Sequence, residues 1–457
     1  MKKLTFIIAL AVCFCVCFSF TATGSEAELK YSKAFYEKVI RLEGEYIKSL
    51  ALPNGVIGYG VPQVNTSFEN NSLPTVDGIT PDEYLTWRST RIVPYFSAFA
   101  VLGIIAADVD GAQETALNYI NWYISRMNTK ETDINGVAGT VYDYYTFVSP
   151  DRKTAVDVRA MDLFGDSTKN YDSTDSYAST FIQILCAYTQ KYDKSFLDDK
   201  KDLIKTLTDV IYSTYCENLG LTGAKPDYMV CYLMDNCEVY NAFRDLADIF
   251  PEYETDAKRF KDGIQNTLYT YGYYYPAVFE NGTPAYEIED KTQMEYYPHA
   301  TSQLFPITFG IVESGTERAV QQYKLFNSMY GISGKAGADW VSVDCGSEYP
   351  WALNLRAAVR MGDYTRAEKY IQNVYTRFIA TEHSGDYYCA EAGHILLAIT
   401  EMLEESVAGG NASQEISAPE NTDESKTALK DILPFAVLGG VVALGAAAIL
   451  IALKKKK

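Results

Sequence analysis

Histidine is scarce: the chain has three in 457 residues. A histidine-based metal centre is hard to assemble from so few, because such sites draw on clustered imidazole and carboxylate ligands. Positive charge is short as well. Forty Lys and Arg residues stand against 59 Asp and Glu, a formal net charge of −19. Lys2, Lys3 and Lys454 to Lys457 lie at the extreme ends, so the body of the chain is more acidic still. Nucleic acid needs a basic footprint and is excluded as a partner; a strongly anionic polymer is a poor match for the same reason. Of nine cysteines, Cys13, Cys15 and Cys17 fall in an apolar leader, and none follows the small residue that a lipidation signal would want. Cys186, Cys216, Cys231, Cys237, Cys345 and Cys389 show no metal-ligand spacing. Cys186 and Cys389 lie in apolar runs and read as small core residues, while Cys231 and Cys237 are close enough to pair in an oxidising compartment. Strand-type alternation is rare, leaving room only for short hairpins in the loops.

The two ends are specialised. Met1-Lys2-Lys3, an apolar run from Leu4 to Phe20 and Ala22-Thr23-Gly24 make a secretory signal peptide over 1–24, by its basic, apolar and small-residue regions in order. At the other end, 432–453 is apolar and uncharged and 454–457 is all lysine. About 22 residues suffice to cross a bilayer, and the lysines stay cytoplasmic by the positive-inside tendency. Residues 406–431 are rich in Gly, Asn, Ser, Glu and Pro and form a flexible stalk. The expected topology is a monomeric extracellular domain over 25–405, held at the cell membrane by one helix whose partner is the lipid bilayer.

Between the ends, the apolar period switches regularly. Amphipathic helices are expected at 31–50, 112–128, 195–215, 253–270, 314–328 and 364–380, with apolar residues at helical spacing on one face. After each comes a helix apolar almost all round, starting near Pro94, Asp175, Asp235, His299, Glu348 and Tyr387. A helix apolar on every side is buried. Six pairs of an outer, half-solvated helix and an inner, buried one predict an all-α (α/α)6 toroid. Connections from outer to inner helix are mostly long and those back are short, so the long loops share a face with the inner-helix N-termini. Long loops on a rigid scaffold are where binding residues sit, and helix N-termini offer free N–H groups to a ligand.

That face carries polar and aromatic clusters. Asp172-Ser173-Thr174-Asp175-Ser176-Tyr177 opens the second inner helix, and Asp235-Asn236-Cys237-Glu238 opens the third. Trp87-Arg88 to Arg91 precede the first, Tyr296-Tyr297-Pro298-His299 the fourth, Glu348-Tyr349-Pro350-Trp351 the fifth and Asp386 to Glu391 the sixth. An Asp or Ser before a helix is first of all a cap; two aspartates and a tyrosine in one entry exceed that need.

At this point the chain resembles the six-hairpin glycosidase superfamily over roughly 30–405. Asp172-Ser-Thr-Asp-Ser-Tyr is similar to the acidic entry of an inner helix in such enzymes, and Trp351-Ala-Leu-Asn-Leu-Arg356-Ala-Ala-Val-Arg360-Met-Gly-Asp363 to a late inner helix. The resemblance implies glycoside hydrolysis, more often inverting than retaining, with unsaturated glucuronyl hydrolases and non-catalytic members among the relatives. No single family's catalytic signature is complete, so substrate and linkage do not carry over.

Glycoside hydrolysis uses a protonated carboxyl group at the leaving oxygen and an ionised one as base or nucleophile. Glu238 is the candidate acid and Asp175 the candidate base. Asp235 lies three residues before Glu238, so one helix face carries both and repulsion can hold a proton on Glu238; the competing reading is a capping box, Asp235 capping and Glu238 reaching back. Glu348 is the runner-up acid. Trp87, Arg88, Asp172, Tyr177, Asp235, Asn236, His299, Trp340, Glu348, Trp351, Asp386 and Glu391 are the expected carbohydrate-binding lining. No cofactor and no metal are called for. The 37 tyrosines serve core packing first and sugar stacking second. The expected function is a membrane-anchored extracellular glycoside hydrolase. The alternatives are a glycan-binding protein with a degenerate toroid and, third, a polysaccharide lyase with a Tyr or His base.

Overall fold

The structure, a computed structural model, describes residues 30–64, 75–290, 292–331, 339–343, 345 and 350–408. The expected signal peptide at 1–24, nearly all of the expected stalk, the expected membrane span at 432–453, residues 454–457 and Glu348 lie outside the described residues. Among the described residues no helix is long and apolar enough to cross a membrane.

The alternation seen in the sequence becomes six outer–inner pairs: α1 (Lys33–Ser49) and α2 (Pro94–Ala107), α3 (Ala112–Arg126) and α4 (Thr174–Lys191), α5 (Lys201–Tyr212) and α6 (Leu233–Ala247), α7 (Glu254–Gly263) and α8 (Phe305–Thr308), α9 (Glu317–Tyr330) and α10 (Leu353–Arg360), α11 (Tyr364–Arg377) and α12 (Cys389–Ala408). The inner helices form a closed ring in which α2 packs on α4, α4 on α6, α6 on α8, α8 on α10, α10 on α12, and α12 back on α2. Five outer helices lie against this ring, α1 on α12, α3 on α2, α5 on α4, α7 on α6 and α11 on α10, and the sixth, α9, packs on Thr301–Gln303 just before α8. In α4 every residue from Thr174 to Leu185 is buried. Amphipathic α1 instead buries one face, including Tyr36, Val39 and Ile47.

Several elements are shorter than their apolar runs. The fourth inner helix is broken into Tyr296–Ala300, Thr301–Gln303 and α8. Pro298 and Pro306 each remove a backbone donor, and Tyr297 has extended backbone at φ −121° and ψ 134°. Cys231 meets Cys216, with Sγ atoms 3.8 Å apart, rather than Cys237; both thiols are free.

One layer lies outside the helical pattern. Gln63–Val64 (β1), Arg88–Ile92 (β2), Tyr144–Val148 (β3) and Ala155–Arg159 (β4) form an antiparallel sheet in that order, with Arg88 opposite Val148 and Tyr144 opposite Arg159. The segment Arg88–Arg91, expected at the entry to an inner helix, is therefore strand. The sheet has a small core of its own from Tyr84, Phe147, Val156 and Val158, with Trp87 against it. Asp157 fastens it to the helices. Its carboxylate accepts from Asn54 (2.8 Å), Trp122 (2.8 Å), Arg126 (2.9 Å) and Thr146 (2.6 Å).

Candidate functional site

Two inner helices, α4 and α6, begin side by side on the long-loop face, and their first turns bring four carboxyl groups together. Ser173 is the N-cap of α4, its oxygen accepting from the Ser176 N–H. Its hydroxyl lies 2.5 Å from Asp175 Oδ1 and 3.1 Å from Asp235 Oδ2; one proton can serve only one of them. The Ser176 N–H donates to Asp175 Oδ1 at 2.8 Å and the Thr222 hydroxyl to Oδ2 at 2.6 Å. Thr222 belongs to a hairpin, Tyr215–Cys216 (β5) and Leu221–Thr222 (β6), that is pinned by Asn236. The Asn236 Oδ1 accepts from the Thr222 N–H at 2.8 Å, and its amide donates to the carbonyls of Thr222 and Tyr232 at 2.9 and 2.8 Å. Asn236 is thus a fastener beneath the site.

Glu238, one turn into α6, has no exposed surface. Tyr95 of α2 donates to Oε1 at 2.7 Å and the Ser176 hydroxyl to Oε2. The capping-box reading fails here: the N-cap of α6 is Tyr232, and Glu238 reaches sideways to α2 and α4. Burial raises its pKa to about 8, with the Asp175 charge adding to the effect. Burial raises Asp175 to about 6 against the pull of its donors. Asp235 is pushed well up by burial and then by the charges of Asp175 and Glu238. All three carboxyl groups are thus pushed toward the protonated form, Glu238 further than Asp175, the kind of separation that an acid and a base acting together require.

Toward solvent the cluster continues. Asp172 is exposed, with Lys225 and Arg91 nearby. Tyr177 donates to Asp143 at 2.7 Å, and Arg91 pairs with the same carboxylate at 3.1 Å. Arg91, not Arg88, is the arginine that turns toward the acids; Arg88 is exposed on β2 and Trp87 packs on the sheet core, so neither lines the acid cluster.

Across the ring, half-buried aromatics border the inner-helix entries. Trp351 lies 4.8 Å from Tyr297 between ring centroids, Tyr59 stacks on Tyr388 at 4.7 Å, and Phe96 stands edge-on to both. Glu391 accepts from the Ala352 N–H at 2.6 Å and so holds the turn at Trp351, whose φ is +59°. Its pKa rises to about 7 through burial. His299 borders Tyr286 edge-on at 5.8 Å, and its pKa is lowered by burial. Two expected lining residues stand elsewhere. Trp340 is fully buried, with its indole N–H on Asn327 at 3.0 Å, and belongs to the core between α9 and α11. Asp386 is exposed in the loop before α12.

The structure thus brings Asp172, Asp175, Tyr177, Asp235 and Glu238 together, with Trp351, His299 and Glu391 on other entries around the ring. Sequence reasoning missed Tyr95, Ser176, Thr222 and Asp143. Tyr95 had a signal, since Pro94 at the first helical position places the next residue on the opening turn. Among the described residues no group of three or more His, Cys, Asp or Glu is arranged to hold a metal ion.

No protein-family model matches the chain, and no curated protein sequence does. Solved structures do match in fold. A D-mannose isomerase superposes with a TM-score of 0.50 at 11% identity, over 82% of this chain and 98% of that one. A glycosidase variant matches at 0.51 and 10% identity, over 81% and 97%, and another, in complex with glucose, at 0.50 and 9%, over 81% and 97%. At such identities the likeness is one of fold: the six-hairpin (α/α)6 toroid.

Proposed function

We propose that this six-hairpin toroid is a glycoside hydrolase acting on an oligo- or polysaccharide at the face where the inner helices begin. Glu238 is the acid, and Asp175 is the base with Asp235 beside it. The observation that supports this reading is the placement of two buried carboxyl groups, Glu238 and Asp175, on adjacent inner helices that Ser176 links, with Glu238 raised the further of the two. Tyr95 and Ser176 hold the Glu238 carboxyl from two sides. Delivery of its proton to a leaving oxygen requires Tyr95 to swing aside, since neither Glu238 nor Asp175 has surface open to solvent. Catalytic contacts commonly form only in the substrate complex. The half-buried rings of Trp351, Tyr297, Tyr59 and Phe96 supply flat apolar faces for sugar stacking. Secretion by the 1–24 leader and retention by the 432–453 span would place this face outside the cell.

A specific observation favours a second reading, glycan binding without turnover. Both oxygens of Asp175 and of Glu238 are already occupied by protein donors. One experiment separates the two. The soluble fragment 25–408 is assayed against an oligosaccharide panel that includes free aldoses, as wild type, Glu238→Gln and Asp175→Asn, with the product anomer determined. Turnover lost in both folded variants supports hydrolysis at this site. Turnover kept in both removes these residues from the chemistry. Binding without turnover supports the second reading.

A further inference from the structure

Cys186, Cys237 and Cys389 are buried in the inner helices α4, α6 and α12, where a thiol packs as a small apolar group. Cys216 and Cys231 are placed differently. Cys216 ends β5 and Cys231 is the middle residue of a further short strand, Val230–Tyr232 (β7). They are 15 positions apart in the chain, yet their Sγ atoms are 3.8 Å apart. Paired backbone holds both in place. Cys216 stands opposite Leu221 of β6, and Cys231 opposite Val278 of the strand Ala277–Phe279. Between them the Gly223 N–H donates to the Thr214 carbonyl at 2.9 Å and the Ala224 N–H to the Val230 carbonyl at 3.0 Å.

From 3.8 Å the sulfurs need to approach by about 1.8 Å to reach a disulfide bond length of about 2.05 Å. Rotation of the side chains about their Cα–Cβ bonds spans that distance. Both thiols are enclosed, Cys216 at 7% exposure and Cys231 at none. Burial raises the pKa of each, so the folded chain holds little thiolate, the form that attacks a disulfide. The time for such a bond to form is therefore during folding, before the core closes over the pair. Once formed, it stands out of a reductant's reach.

We propose that Cys216 and Cys231 are oxidised to a disulfide as the exported chain folds, and that this bond staples the support beneath the acid cluster. The oxidant is a dialkyl disulfide, as in oxidised glutathione. One cysteine thiolate attacks it, forming a mixed disulfide and expelling one thiol; the second thiolate then displaces the other. Two electrons pass to the oxidant, and the two cysteine protons end on the two released thiols. The closed loop contains Thr222, which donates to Asp175, and Ala224, whose carbonyl accepts from the Thr174 N–H at 2.6 Å. Asn236 grips Thr222 from the α6 side. A crosslink here restricts the unfolded chain and keeps the entries of α4 and α6 together. The oxidising compartment is that of the secretion proposed above, and the bond does not depend on whether the acids hydrolyse a glycan.

The full chain, purified in detergent with reductant, is unfolded in guanidinium chloride and refolded in mixed reduced and oxidised glutathione. Free thiols are alkylated in denaturant, and the chain is digested without reductant for mass spectrometry. A linked peptide pair carrying Cys216 and Cys231 is expected in wild type. Its urea midpoint should stand about 0.5 M or more above that of the chain refolded with reductant, and Cys231→Ala should show no such difference. Cys216 and Cys231 both alkylated in folded wild type, or either one joined to another cysteine, overturns the proposal. A linked pair that leaves the midpoint unchanged overturns the stapling role. Should refolding fail, chain exported from cells and freed of its leader, alkylated in denaturant at lysis, decides: a linked pair supports the bond, and two alkylated cysteines overturn it.

Discussion

Glu238 gives the toroid a pH dependence that can be signed in advance. In the folded chain it holds its proton up to about pH 8, against an ordinary value of 4.5. Between those values the native state binds a proton that the unfolded state lacks, so stability is full below pH 4.5 and is lost as pH rises through 8. Asp175, raised to about 6, and Glu391, raised to about 7, act with the same sign. Urea unfolding of the wild type should therefore show stability falling from pH 5 to pH 8. Glu238→Gln, which cannot ionise, should flatten that fall by roughly 1–3 kcal/mol. An unchanged slope would show that Glu238 titrates normally. Tyr95→Phe removes a donor to the ionised form and should move the Glu238 titration upward, read by the carboxyl carbon shift in NMR. What the sequence showed at this scale was the pair Asp235-x-x-Glu238, and it could not decide between cap and acid. The deciding contacts come from Tyr95 and Ser176, on helices distant along the chain, where no local spacing reveals them.

At the scale of elements, the helices were legible because their apolar period is local, and the sheet was not because its pairing is remote. Arg88–Ile92 meets Tyr144–Val148 across a gap that contains two whole helices. Its run of five residues is too short for alternation to stand out. Its role is to carry Arg91 toward Asp143 and Tyr177. What keeps it in place is Asp157, whose carboxylate is 2% exposed and takes donors from the first long loop, α3 and β3. Asp157→Ala strands the Trp122 indole N–H, the Thr146 hydroxyl and the Arg126 charge together. A loss of about 3–5 kcal/mol is expected, in line with the removal of one partner from a buried ion pair. Hydrogen exchange should show the loss concentrated in β2 to β4 and the last turns of α3. Protection lost evenly over all six hairpins would instead mean that the sheet is no separate layer.

For the whole molecule, six pairs in series do not by themselves make a ring; the first inner helix has to meet the last. That closure rests on two glycines at one crossing. A Cβ on Gly393 of α12 would stand 2.2 Å from the Phe99 carbonyl oxygen and 2.8 Å from the Ala100 nitrogen of α2, and one on Gly103 would stand 2.6 Å from the Gly393 Cα. These are backbone atoms, which cannot turn away as a side-chain tip can. The seam is extended by Glu368 of α11, which accepts from Tyr36 of α1 at 2.5 Å, and by Glu43 of α1, which accepts from Tyr387 at 2.5 Å and meets His383 at 2.9 Å. Two effects compete in Gly393→Ala. Helix propensity favours alanine by about 1 kcal/mol, while forcing two packed helices apart costs about 1–3 kcal/mol or more. With contacts this short the steric cost should win. Gly393→Ala is expected to lower the unfolding free energy by about 1–2 kcal/mol, and Gly60→Ala, where an added Cβ meets nothing within 4 Å, to leave it within about 0.5 kcal/mol. Because the crossing lies where α2 and α12 carry Tyr95 and Glu391 into the mouth, the same substitution should slow any turnover without touching an acid. A gain in stability from Gly393→Ala would mean that the two ends of the ring stand further apart than their backbones show, and that the mouth is framed by five contacts between inner helices instead of six.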